Sequence, residues 1–102
     1  MAQFDVYRFK PPSGKSIHVV DLQSELQDSL ATRIVAPLYP VVTTAQPIRR
    51  LNPAVTLKGK DYYLATQELT ALRRKSLGKS VASLSHMHSE LIAALDLLLT
   101  GV

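Results

Sequence analysis

Cysteine is absent from this chain. A disulfide framework, a thiolate zinc site and a cysteine nucleophile are therefore all excluded, and a reducing cytoplasm is the expected compartment. Long apolar runs are missing too. The start, Met-Ala-Gln-Phe-Asp-Val-Tyr, reaches a charge at Asp5 with no apolar run ahead of it, so it does not read as a secretory signal. The longest strongly apolar stretch, Leu91 to Leu99, is broken by Asp96 and falls well short of the ~20 residues a membrane span requires. A soluble protein without a membrane partner is expected. Acidic residues are outnumbered, 8 against 12 basic ones, leaving a net charge of +4 and a pI of about 9.6. That surplus suits an anionic partner, but with only 20% of residues charged an ordinary solvated surface is the stronger reading. Aromatic side chains able to stack on bases are few, namely Phe4, Tyr7, Phe9, Tyr39, Tyr62 and Tyr63, and strand patterns claim several of them for a core.

What is present fits one domain spanning residues 1–102. A chain of this size can bury roughly two thirds of its unfolded surface, enough for one hydrophobic core. Gln3 to Phe9 carries aromatic and β-branched residues and stops at Pro11-Pro12-Ser13-Gly14, which predicts a strand and a loop. Ser16 to Leu22 reads as a second strand, able to form a hairpin with the first. Asp28 to Ala31 reads as a connection. Arg33 to Leu38 is a short apolar strand whose Pro37 places it at a sheet edge or strand end, because proline cannot donate a ladder hydrogen bond. Pro40 to Pro47 reads as loop or a small side sheet. The runs Asn52 to Leu57 and Tyr62 to Thr66 flank the Gly-bearing turn Lys58-Gly59-Lys60-Asp61 and make the clearest hairpin in the chain. Gln67 to Leu72 fits a helix by residue type and a bend by length, and Leu77-Gly78 marks a turn.

From Ser83 the period changes. Leu84, Met87, Leu91, Leu95, Leu98 and Val102 recur at spacings of three and four, and Ile92 and Leu99 widen the stripe into an amphipathic helix. Ser83 is the expected N-cap and Gly101 the expected left-handed terminus. The last turn carries apolar side chains on more than one face, so one side stays exposed unless a partner covers it.

Catalytic chemistry finds little purchase. His86 and His88 lie two apart and would point away from each other on a helix, while His86 with Glu90 supplies fewer ligands than zinc needs. Ser85-His86 are neighbours in sequence only, and no nucleophile-elbow or phosphate-loop pattern surrounds a serine. The run Arg73-Arg74-Lys75 with Lys79 could meet phosphates, although a solvated loop accounts for it better. No cofactor, no metal and no enzymatic activity are expected.

Gln3-Phe4, Val6-Tyr7, Val20-Asp21-Leu22-Gln23-Ser24, Arg33 to Leu38 and Leu84-Ser85-His86 before a helix ending in Gly101-Val102 together resemble the CcdB toxins of plasmid and chromosomal toxin–antitoxin modules. The resemblance implies a mainly β protein, an SH3-like antiparallel barrel with a small side sheet and one C-terminal helix. It also implies a homodimer that grips the gyrase A subunit and poisons DNA gyrase. A CcdA-like antitoxin would neutralise it, and operator DNA would be bound only as part of the toxin–antitoxin complex.

Carried over residue by residue, the resemblance puts the gyrase-binding surface on Leu26, Gln27, Asp96, Leu99, Thr100, Gly101 and Val102. Thr100 departs from the family pattern, standing where a tryptophan stacks on gyrase. Antitoxin contacts would fall on the first hairpin loop and its flanks, at Arg8, Phe9, Lys10, Lys15 and Ser16. Alternatives on the same fold are a MazF-type ribonuclease and a degenerate toxin that keeps its antitoxin but has little gyrase activity.

Overall fold

The computed structural model of the chain describes residues 1–41 and 46–101. Seven strands, Asp5–Phe9 (β1), Ile17–Asp21 (β2), Thr32–Pro40 (β3), Ala54–Leu57 (β4), Lys60–Leu64 (β5), Thr70–Arg73 (β6) and Ser80–Ser83 (β7), precede one helix, His88–Thr100 (α1). They form one antiparallel sheet in the order β4-β5-β3-β2-β1-β7, with β6 also paired to β3. The sheet curls into an SH3-like half-barrel, as the sequence led us to expect. Among the described residues no pairing joins β4 to β7, so the barrel stays open between those two edges.

Period-two alternation decides which side chains meet. Val6, Val20 and Ala36 face one way, where Phe4, Leu38, Leu64 and Leu84 complete the main core. Their neighbours Tyr7, Val19 and Val35 face the other way and pack with Leu77 in a second cluster. The helix seals the main core with Leu91 and Ala94, both fully buried, while Ile92 and Leu95 pack at its margin. Burying a leucine such as Leu91 contributes about 1.5–3 kcal/mol. The predicted hairpin forms around Lys58-Gly59, where both residues take positive φ, 50° and 79°, as a tight two-residue turn between right-twisted strands requires.

Three expectations need correction. The strand holding Pro37 is central, flanked by β2, β5 and β6. Pro37 is tolerated there because β6 pairs as far as Val35 and β5 begins at Leu38. Its missing N–H falls in that gap, where its carbonyl accepts the Ala65 amide at 2.9 Å. Ser83 is not a helix cap. It ends β7 opposite Asp5, and its hydroxyl engages Ser85, so a 3₁₀ turn at Ser85–Met87 comes before the helix. Gln67 to Leu72 is neither one helix nor one bend, since a 3₁₀ turn, Thr66–Glu68, runs into β6. Of the segment Pro40 to Pro47, residues 42–45 lie outside the described residues.

Candidate functional site

The turn after β2 is built around charge. Asp21 ends that strand with its side chain fully buried, and Arg33, equally buried, donates to its Oδ2 from Nε at 3.0 Å and from a terminal nitrogen at 2.8 Å. Burial pushes the Asp21 carboxyl up, while the Arg33 donors and the Gln23 amide pull the other way. Arg33 then reaches the Gln23 carbonyl at 3.1 Å and Asp28 at 3.4 Å. Asp28 also holds the Met1 amine at 2.8 Å, and its backbone carbonyl accepts from Arg74. These bonds clamp both ends of a 3₁₀ turn, Glu25–Gln27, whose Leu26 amide is capped by the Ser24 hydroxyl.

That clamp presents Leu26 at 90% exposure, with Gln27 exposed beside it in sequence. At the far end of α1, Asp96, Leu99 and Thr100 are exposed, Leu99 at 72%, and Gly101 closes the helix with φ 81° and its amide bonded to the Leu97 carbonyl. The Thr100 hydroxyl turns back to the Asp96 carbonyl at 2.7 Å and is spent locally. Val102 lies outside the described residues. Leu26 and Leu99 are the two most exposed large apolar side chains described. The sequence pattern anticipated the bare helix end, but not the buried ion pair that projects Leu26.

The first hairpin loop is a separate surface. Arg8, Lys10, Lys15 and Ser16 are exposed there, while Phe9 is half-buried against the second cluster and faces Ile17 across the strand pair. No aspartate or glutamate occurs between Asp5 and Asp21, so the formal charges of this loop are all positive. His88 packs its ring edge-on against Phe4 at 5.4 Å, a structural contact, whereas His86 lies on the turn before the helix. No three of His, Asp and Glu gather as a metal site among the described residues. Among those residues, no helix is long and apolar enough to cross a membrane.

Comparison with solved structures finds the same architecture in other proteins. A mycobacterial endoribonuclease in complex with its cognate antitoxin superposes with a TM-score of 0.78 at 16% identity, covering 97% of this chain and 94% of that one. The Mycobacterium tuberculosis toxin MazF-mt6 gives a TM-score of 0.71 at 17% identity, over 90% of this chain and 92% of its own. A further mycobacterial endoribonuclease gives 0.76 at 15% identity, over 97% and 90%. These likenesses correct the expectation that the chain performs no reaction, because the fold is shared with proteins described as endoribonucleases. At such identities they speak for the fold alone. The family model described as CcdB protein matches residues 3–101, nearly the whole chain, and the protein therefore belongs to the CcdB family of toxin–antitoxin toxins.

Proposed function

We propose that this toxin acts by binding the gyrase A subunit with the end of α1 and the Leu26 turn, and that a CcdA-like antitoxin neutralises it. The observation that carries the reading is that Leu26 and Leu99 are the two most exposed large apolar side chains among the described residues, each on an element the reading assigns to the contact. Two copies pairing through their helices would bring two such ends together and double the contact. Gln27, Asp96, Thr100, Gly101 and Val102 would complete the contact. The cationic loop from Arg8 to Ser16 suits an acidic, partly disordered antitoxin segment.

Thr100 cannot replace the family's tryptophan anchor, so affinity should sit well below that of a tryptophan-bearing relative. Titration calorimetry against a gyrase A dimerisation fragment tests the proposal. Binding at micromolar concentrations supports it, and no heat at tens of micromolar removes gyrase as the target. The likeness in fold to endoribonucleases favours RNA cleavage as a second reading, and fragments on incubation with RNA would be its mark.

A further inference from the structure

The open side of the half-barrel is a groove. It lies between the β4–β5 hairpin and β7, with a volume of about 420 Å³. Arg8, His18, Lys58, Lys60, Tyr62 and His86 are among its walls, and no carboxylate lines it. Arg8 and His18 are direct cross-strand partners of β1 and β2, so their side chains stand together on one face. Lys58 and Lys60 flank Gly59 in the hairpin turn on the opposite bank. Among the described residues none of these three cations belongs to an ion pair. Asp61, the nearest acid in sequence, is engaged by the Thr56 hydroxyl at 3.0 Å.

Two aromatic rings form one wall. His18 meets Tyr62 edge-on at 5.6 Å and 78°, and both are half-buried. Burial, then Arg8 and Lys58, hold the His18 imidazole below its ordinary value, which favours its neutral form. A neutral imidazole accepts a hydrogen bond without adding charge. Cations spaced along a groove answer a chain of phosphates, a ring wall answers the flat face of an unpaired base, and the imidazole acceptor answers a 2′-hydroxyl. A duplex offers no unstacked face for such a wall. An acidic peptide would satisfy the cations but not the rings.

We propose that this groove binds single-stranded RNA, with Arg8, Lys58 and Lys60 on its phosphates and one base against the His18–Tyr62 wall. Leu26 and Leu99 do not line the groove, so the inference is independent of the gyrase reading, and it holds whether or not cleavage follows binding.

Fluorescence polarisation with a labelled RNA of about ten nucleotides tests it. With three phosphates neutralised, affinity should fall about twentyfold between roughly 50 and 200 mM salt. Arg8→Gln and Lys58→Gln should each weaken binding severalfold and flatten the salt dependence. Tyr62→Leu should weaken binding at least fivefold with its salt dependence unchanged. Arg49→Gln, which does not line the groove, should bind as the parent does, and circular dichroism confirms that each variant is folded. No binding at about 100 μM in low salt overturns the proposal. Equal loss in Arg49→Gln, equal affinity for the matching DNA strand, or preference for an acidic peptide of the same length overturns it as well.

Discussion

Arg33 donates two hydrogen bonds to a single carboxylate oxygen of Asp21, at 3.0 and 2.8 Å, with neither side chain exposed to solvent. The same guanidinium reaches the Gln23 carbonyl and Asp28, so one buried cation ties a strand end to the turn that carries Leu26. Removing it leaves Asp21 charged and unpaired inside the fold. Arg33→Met should cost about 3–5 kcal/mol in urea denaturation. The double variant Asp21→Leu with Arg33→Met should recover most of that loss, since no charge is left stranded. A single variant as stable as the parent would refute the structural role of the pair.

The helix end can be tested without disturbing the core. Leu99→Ala changes an exposed side chain, so stability should stay within about 0.5 kcal/mol. Its affinity for a gyrase A fragment should nevertheless fall. Thr100→Trp restores an aromatic anchor and should raise that affinity about thirtyfold, equivalent to about 2 kcal/mol. Calorimetry on both variants separates a gripping surface from an idle one.

Tyr39 reports on the alkaline side. Its hydroxyl donates to Glu68 at 2.6 Å, and that bond, with burial, raises its pKa from 10.0 to about 12. An acid whose pKa rises on folding contributes stability that is complete below its unfolded value and disappears as pH climbs through the folded one. The contribution should therefore be intact below pH 10 and lost towards pH 12. In an ultraviolet titration Glu68→Gln should bring one tyrosine back towards its ordinary value.

His18 reports on the acidic side with the opposite sign. Because its pKa is lowered, by burial first and by Arg8 and Lys58 after that, the folded protein resists its protonation. Stability should fall as pH drops below 6.5, the ordinary imidazole value. Proton resonances of the His18 ring should show a midpoint below 6.5, and Arg8→Gln should move it upward. An unmoved midpoint would mean that the two side chains do not share a field.

Much of the fold was legible because local chemistry and pattern agreed. The hairpin through Lys58-Gly59 needed only its turn and two apolar flanks, and the helix stripe declared itself by period. β7 was not legible, since Ser80-Val81-Ala82-Ser83 is short and mostly small, and only its pairing with β1 makes it a strand. Pro37 misled because the rule against proline in a central strand presumes a continuous neighbour, and here two strands leave a gap beside it. The exposed end of α1 followed from its pattern. Asp21 and Arg33 did not, because a charge beside an apolar run reads as a surface residue until a partner from another strand removes it from water. The groove required three-dimensional knowledge, as Arg8 and His18 come from the first hairpin and Lys58 and Tyr62 from another hairpin much later in the chain.

The unclosed sheet leaves the outer rims of β4 and β7 with main-chain donors and acceptors that no neighbouring strand shares among the described residues. Such rims invite a second molecule to zip on, the first step toward fibrils. Lys58 and Lys60 bracket the turn beside one rim, and Pro53, which has no amide hydrogen, precedes its first residue. Crowding like charges at that margin keeps neighbouring molecules apart, and concentrated salt would relax this defence against self-association.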